Sequence, residues 1–285
     1  MCFGAPPAAV NSFITYHRRI GFERIFMYLD SVSDEYLETL GLEPSHGLVV
    51  HRCDAAFWQT RFAESVMVAR RSEHKVFDDV ARCWETEVQS RQSLVVEHAI
   101  ALASRGGLEW LLHIDVDEAF LPGRLAPPAF FAALPSEAQQ VFFSNLEGVP
   151  ESELTLDWMR EVHRFKINPA FASDRAAVEA AWQHVERARR VACPQVKPSS
   201  YFIAYVSGKS AIRLPGRDAA PGSLPLPFDV HKFLVPSPGG AWKAPVTVAC
   251  SEHLDTRDAP TVLHYPSCGY ETRYSRQVLG ARCVR

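Results

Sequence analysis

The sequence predicts an α/β protein with a mostly parallel central sheet flanked by helices. Two stretches carry that prediction. Residues 23–52 alternate strand, helix and strand within about 25–30 residues, as parallel α/β units do. Further on, Trp110-Leu111-Leu112-His113-Ile114 is a nearly unbroken apolar run just after Gly106-Gly107. A run of that kind reads as a strand buried on both faces of a parallel sheet.

The elements follow in order. Asn11–Ile20 is an amphipathic helix stopped by Gly21. Glu23–Asp30 is a strand with Ile25 to Leu29 at its middle, ending in Asp30-Ser31-Val32-Ser33-Asp34. Ser33 is placed to cap a helix over Asp34–Leu40, closed by Gly41. Gly47–Arg52 is the next strand. Residues 53–83 carry no clear period; Arg70-Arg71 and Asp78-Asp79 read as solvated faces. Trp84–Ser104 is a long helix with Val88, Leu94, Val95, Ala99, Leu102 and Ala103 on its apolar side. Gly106-Gly107 ends it and leads into the Trp110 strand. A Pro-rich turn from Pro122 to Pro135 holds a short helix at Phe130–Leu134. Gln140–Ser144 and Ser200–Val206 are strands. Ala176–Val191 is a helix whose last turn carries Arg187, Arg189 and Arg190, which suits the helix dipole. Residues 215–227, with four prolines and two glycines, form a mobile loop beside the site, where loops often serve as lids. Tyr270–Leu279 is a final helix.

The composition sets bounds. The chain has 285 residues, 47% hydrophobic and 22% charged, with a formal net charge of −3. That is ordinary globular composition and gives no sign of non-specific nucleic-acid binding. Seven widely spread cysteines without a C-x-x-C pair argue against a structural zinc site and a full disulfide framework, leaving room for one or two bridges. No stretch of 18 apolar residues spans a membrane, and the start lacks the basic and apolar regions of a signal peptide.

Chemistry concentrates after the Trp110 strand, in Asp115-Val116-Asp117-Glu118. Ligands of open α/β sheets bind beyond the carboxyl ends of strands. On an extended chain, side chains at i and i+2 point the same way. Asp115 and Asp117 can then face one hard cation, Mg²⁺ or Mn²⁺, which takes carboxylates together with substrate phosphates. A bare Asp-x-Asp is common by chance; the apolar strand before it and Phe120-Leu121-Pro122 after it single this one out. Glu147 follows the Gln140 strand and is a second carboxylate candidate, with an exposed turn as its plain alternative. Gly208-Lys209-Ser210 has the tail of a phosphate loop but lacks its first Gly, Ile203 standing there. Lys209 can still hold a phosphate as a point charge. Asp229-Val230-His231 and His264-Tyr265 offer His231 and His264 as a third metal ligand or a phosphate contact.

Taken together, Tyr16–Glu35, Glu109–Pro122, Gly208–Arg213, Val230–Phe233 and Leu263–Gly280 resemble glycosyltransferase family 92 and the related family 2-like glycosyltransferases. The matching pieces stand in the family's order over about 270 residues. The Asp-x-Asp stretch with the upstream Tyr16-His17…Gly21…Asp30 is moderately specific; Gly-Lys-Ser and His-Tyr alone are weak. The resemblance implies a GT-A fold, Rossmann-like, over residues 1–285 as a single domain. Residues 11–122 would bind the nucleotide-sugar and 123–285 the acceptor. It implies Mn²⁺ (or Mg²⁺) on Asp115 and Asp117 and Asp30 where the sheet meets the nucleotide. Lys209, His231 and His264 become contacts to diphosphate or metal. The reaction implied is inverting transfer of a hexose, such as galactose from UDP-galactose, to a glycan or other hydroxyl acceptor. Glu147 is the first choice of base, with Glu118 and Asp229 as rivals.

The chain departs from the family at its start. Family members begin with a strand ending in an Asn-Glu-like turn, whereas only the Pro- and Ala-rich Met1–Val10 precedes Asn11 here. The first strand and the upstream membrane anchor are therefore expected to be missing. That means either a shortened chain, belonging to the Golgi or secretory lumen, or a cytoplasmic protein with a compromised donor pocket. Two alternatives stand beside transfer: a non-catalytic nucleotide- or glycan-binding remnant, and a Mg²⁺-dependent phosphohydrolase. The latter is disfavoured because its Asp nucleophile usually lies on the first strand.

Overall fold

The computed structural model describes all residues except 3, 153, 167, 169–173, 193–207, 251–258 and 267–285. The strand at Ser200–Val206 and the helix at Tyr270–Leu279 fall outside the described residues. The remainder is an α/β fold.

Helix α1 spans Pro7–Arg19, starting earlier than the Asn11 expected. Pro7 sits at its first turn, where a missing N–H costs nothing. His17, Arg18 and Arg19 close it, as cations suit a helix C-terminus. Strand β1 is Ile25–Asp30 and helix α2 is Asp34–Leu40. The Ser33 hydroxyl accepts from the Tyr36 N–H at 3.1 Å, and Gly41 turns left-handed at φ 55°, as the sequence predicts. Strand β2, Leu48–Cys53, pairs parallel with β1, completing the strand–helix–strand unit.

The unread stretch 53–83 is helical. It holds α3 (Ala55–Glu64), α4 (Val66–Ala69), a 3₁₀ turn at Arg71–Glu73 and α5 (Lys75–Cys83). Asp54, Ser65 and His74 cap these helices in turn. Pieces this short give no sustained period, and their signal lies in the caps. Asp78 and Asp79 pair with Arg82 on an exposed face. The long helix α6 runs Val88–Arg105.

The Trp110 strand departs from expectation. β3 covers only Trp110–Leu112, is half-buried, and pairs antiparallel with β7 (Lys209–Arg213). The sheets are mixed rather than mostly parallel. One runs β11 (Thr247–Ala249), β5 (Gln140–Phe143), β7, β3; another runs β4 (Glu118–Leu121), β12 (Thr261–His264), β6 (Asn145–Glu147). Parallel pairs are β1–β2, β5–β11 and β6–β12. An apolar run reports burial, not the direction of its neighbours, so the sequence could not set this. Within 215–227, Leu224 and Leu226 are buried, and β8 (Leu226–Pro227) pairs with β9 (Phe233–Pro236), which pairs in turn with β10 (Trp242–Lys243). No helix among the described residues is long and apolar enough to cross a membrane.

Tyr16 and His17 join α1 to β4. Tyr16 donates its hydroxyl to the Phe120 carbonyl at 3.0 Å, and the Phe120 N–H donates to His17 Nε2 at 3.1 Å. Two adjacent side chains thus satisfy both backbone groups of one strand residue. An accepting Nε2 fixes the proton on Nδ1, which donates to the Phe13 carbonyl at 2.7 Å. Burial holds the imidazole well below its usual range, to about 4, against the Phe13 bond that favours the charged form.

Strands β1 and β3 do not pair, yet both line one apolar cavity of about 120 Å³, with Phe26, Met27, Val96, Trp110, Leu112 and Ile114 among its walls.

His17 must stay neutral to accept from Phe120. A depressed pKa contributes stability above the unfolded value of 6.5, lost as pH falls towards 4. Urea unfolding from pH 7 to 4 should show a loss of up to about 3 kcal/mol from this group. In His17→Gln, unfolding at pH 7 should be easier and its pH slope shallower.

Candidate functional site

Five strands bring polar ends to one edge of the structure. β6 and β12 end there with Glu147 and His264, and β3 runs on to Asp115. β4 and β7 begin there with Glu118 and Lys209. Antiparallel pairing is what lets strands of both directions contribute.

At the centre is Lys209, its side chain 3% exposed. Gly208 makes its placement possible: a Cβ there would collide with the Phe143 carbonyl, so no larger residue fits between β7 and β5. The Lys209 ammonium donates to Asp115 Oδ2 at 2.8 Å and lies 3.3 Å from Glu118 Oε2. It also donates to the Val230 carbonyl at 3.3 Å. Gly-Lys-Ser is thus a tight packing step that delivers a buried cation to two carboxylates.

The two carboxyl groups against Lys209 differ electrostatically. Burial would raise Asp115, but the Lys209 charge overrides it and holds the carboxyl below the usual range. Burial raises Glu118, to about 8; Lys209 opposes this while the charges of Asp115 and Asp117 reinforce it. Burial likewise opposes charge on Lys209, but Asp115 and Glu118 more than offset it and raise its pKa.

Residues 115–118 are not the extended chain the i, i+2 argument needs. Glu118 N–H donates to the Asp115 carbonyl at 3.0 Å, closing a turn, and the Asp115 N–H donates to Glu118 Oε2 at 2.7 Å. The turn sends the two aspartates to different partners. Asp115 goes to Lys209 and accepts from Gln92 Nε2 at 2.7 Å. Asp117 Oδ2 lies 3.9 Å from His264 Nε2, and the other ring nitrogen lies 4.0 Å from Glu147 Oε1. Burial lowers the His264 pKa, with Asp117 and Glu147 opposing. Its Nδ1 is buried without a hydrogen-bond partner. Glu147 Oε2 accepts from Lys166 at 2.9 Å.

His231 and Asp229 stand behind Lys209. His231 Nδ1 bonds the Gly208 carbonyl at 2.6 Å, and Asp229 Oδ1 accepts the N–H groups of His231 and Lys232 at 2.6 and 2.8 Å. This turn carries the Val230 carbonyl onto the ammonium. Asp30, fully buried, accepts from Trp58 Nε1 at 3.1 Å and pairs with Arg91 at 2.8 Å. Just beyond it Ser31 adopts φ 56°, a backbone state uncommon outside glycine.

Sequence reasoning missed Gln92 and Lys166. Gln92 was legible: it lies four residues after Val88 and three before Val95, a buried polar group on an apolar helical stripe. Lys166 lies in irregular chain, with no periodic signal.

Among the described residues, no three His, Cys, Asp or Glu side chains form a ready-made metal cage. Asp117 Oδ2 and the facing His264 Nε2, 3.9 Å apart, are nevertheless oxygen and imidazole donors of the kind that suit Mn²⁺, while the unpartnered Nδ1 turns the other way, towards Glu147. Hard cations at phosphate sites take only one or two protein carboxylates and complete their shell from substrate and water. The residues present fit such an ion.

Two proteins of Arabidopsis thaliana, each named glycosyltransferase-like, are similar to this chain. One is 25% identical over 206 residues, 70% of this chain and 42% of its own length. The other is 28% identical over 131 residues, 45% of this chain and 24% of its own length. The chain therefore spans less than half of either relative. No protein-family profile matches the chain. No solved structure matches it either.

Lys209→Met should leave the ionised Asp115 buried without its counter-charge. A loss of about 3–5 kcal/mol in unfolding free energy is expected at pH 7.5. The loss should shrink towards pH 5, where the stranded Asp115 carboxyl can take up a proton.

Proposed function

We propose that this protein is a glycosyltransferase. In this reading it moves a hexose from a nucleotide-sugar, such as UDP-galactose, to a hydroxyl acceptor on a GT-A-like fold. Residues 11–122 take the donor and 123–285 the acceptor. The observation that carries the reading is the convergence of Asp117, His264 and Glu147 beside the buried Lys209 at one sheet edge. The similarity to two proteins named glycosyltransferase-like supports it.

A divalent cation, Mn²⁺ or Mg²⁺, would be held by Asp117 and His264, with Glu147 adjoining. When bound, it neutralises charge developing on a leaving diphosphate. Lys209 adds a fixed positive charge in a dry setting, where it acts more strongly than in water. Asp115 and Gln92 keep that ammonium in place rather than joining the cation. Asp30 and the strained Ser31 end β1 at the same edge, where a nucleotide would lie. The acceptor hydroxyl must lose a proton as the new bond forms. Glu147 suits that role: one oxygen accepts from Lys166, and the other faces the site. Glu118 suits it less, since a carboxyl raised to about 8 holds its proton at neutral pH. Asp229 is occupied by two backbone N–H groups.

The test is Mn²⁺-dependent hydrolysis or transfer of a UDP-sugar. Asp117→Ala and His264→Ala should each lower turnover by about 10²-fold or more, with folding intact by circular dichroism. Full activity in Asp117→Ala would remove Asp117 from the mechanism. Calorimetric binding of UDP, with and without Mn²⁺, separates the second reading. Metal-linked binding without turnover would identify a non-catalytic nucleotide-binding module.

A further inference from the structure

Two residues before Glu147, β6 carries a side chain with nothing to bond. Asn145 is 1% exposed, and neither its Oδ1 nor its Nδ2 has a hydrogen-bond partner. A carboxamide buried in that condition is costly, because it has given up water without replacement. Folded proteins contain few such groups, and each calls for a reason.

Strand pairing places it. Residues two apart on a strand point the same way, so Asn145 shares a face with Glu147. Residues paired across strands share that face as well. The register sets His264 and Glu118 in line with Glu147, and Val262 and Phe120 in line with Asn145. The face thus carries a polar row, Glu118–His264–Glu147, and next to it a row whose one polar member is Asn145. That second row otherwise belongs to the apolar cluster around Val141 and Phe143. Lys209 pairs with Phe143, two residues ahead of Asn145. The backbone is held on both sides. The Asn145 carbonyl accepts from Asn168 Nδ2 at 2.6 Å, and the Ser144 carbonyl accepts from the Val262 N–H at 2.9 Å. These contacts fix the carboxamide beneath the polar row and leave both of its own polar atoms unused.

We propose that Asn145 reads a hydroxyl of the sugar that reacts at this edge. That the ligand is a sugar rests on the transferase reading; the placement of the carboxamide does not. A carboxamide offers a donor and an acceptor side by side, and an alcohol hydroxyl uses both. A cation would use only Oδ1, and a phosphate oxygen only the Nδ2 hydrogens, each leaving the other atom orphaned. The neighbours of Asn145 in the polar row are Glu147 on its own strand and His264 diagonally across. A hydroxyl that reaches it passes between those two, so the contact reports on the sugar at the reacting position. Sites that hydrogen-bond a hydroxyl discriminate strongly against analogues that lack it.

The test uses Asn145→Leu in the full chain. Losing an unsatisfied amide to an apolar side chain of similar size should raise the thermal midpoint. Mn²⁺-dependent turnover of UDP-galactose should fall about 10²-fold or more, with UDP affinity by calorimetry within about twofold of the parent protein. Full turnover in the variant overturns the proposal. A lower thermal midpoint overturns it too, because it marks a structural amide. A second measurement needs no turnover. The side-chain amide resonances of Asn145 should move on titration with methyl β-galactoside or methyl β-glucoside, and not with tetrahydropyran, which has no hydroxyl. No movement with either hexoside overturns the proposal. Movement in a protein that turns over no UDP-sugar upholds the hydroxyl contact and removes the transferase reading instead.

Discussion

A buried ammonium shared between two carboxyl groups organises the polar edge of this protein. Removing Lys209, Asp115 and Glu118 from water is costly, and only close mutual contact, at 2.8 and 3.3 Å, offsets it. That contact sets demands on distant parts of the chain. β7 must lie tight against β5, which requires glycine at 208. α6 must present Gln92 to the remaining Asp115 oxygen. The Asp229–Lys232 turn must fold back so that Val230 can accept from the ammonium. Four separate segments are registered by one charge.

The same constraint sorts the carboxylates. Because Asp115 is held ionised by Lys209, it is a poor candidate to exchange partners with a mobile cation. Glu118 sits between two negative neighbours in a dry setting and favours its protonated form. Asp117 and Glu147 are left with His264 between them, and a neutral imidazole has a lone pair to give. The division follows from the 115–118 turn, which aims adjacent side chains at different neighbours.

Much of the first half was legible in the sequence because its signals are local. Ser33 and Gly41 bound α2 where capping chemistry places them, and β1 and β2 follow from short apolar runs. The convergence of Lys209, Glu147 and His264 near Asp115 was legible only as a list of polar residues following strands. Their relative positions depend on long-range pairing: β12 between β4 and β6, and β7 between β3 and β5. Strand direction has no local signature, so a mixed sheet was read as parallel. The role of Tyr16-His17 was equally hidden, because the groups it satisfies belong to Phe120, over a hundred residues away.

The cavity and the site bear on one another through Asp115. It ends the β3 wall of the gap, and Met1, at the mouth of the gap, approaches it. A sheet split between β1 and β3 holds Asp30 on one side and the Lys209 cluster on the other, bridged by α6, which supplies both Arg91 and Gln92, and by Met1-Cys2, which bonds Asp30 and approaches Asp115. Helix packing tolerates small shifts that a hydrogen-bonded ladder does not. Groups that act together need placement within fractions of an ångström, so the two halves of the edge can work as one site only to the extent that α6 and Met1-Cys2 hold them in register.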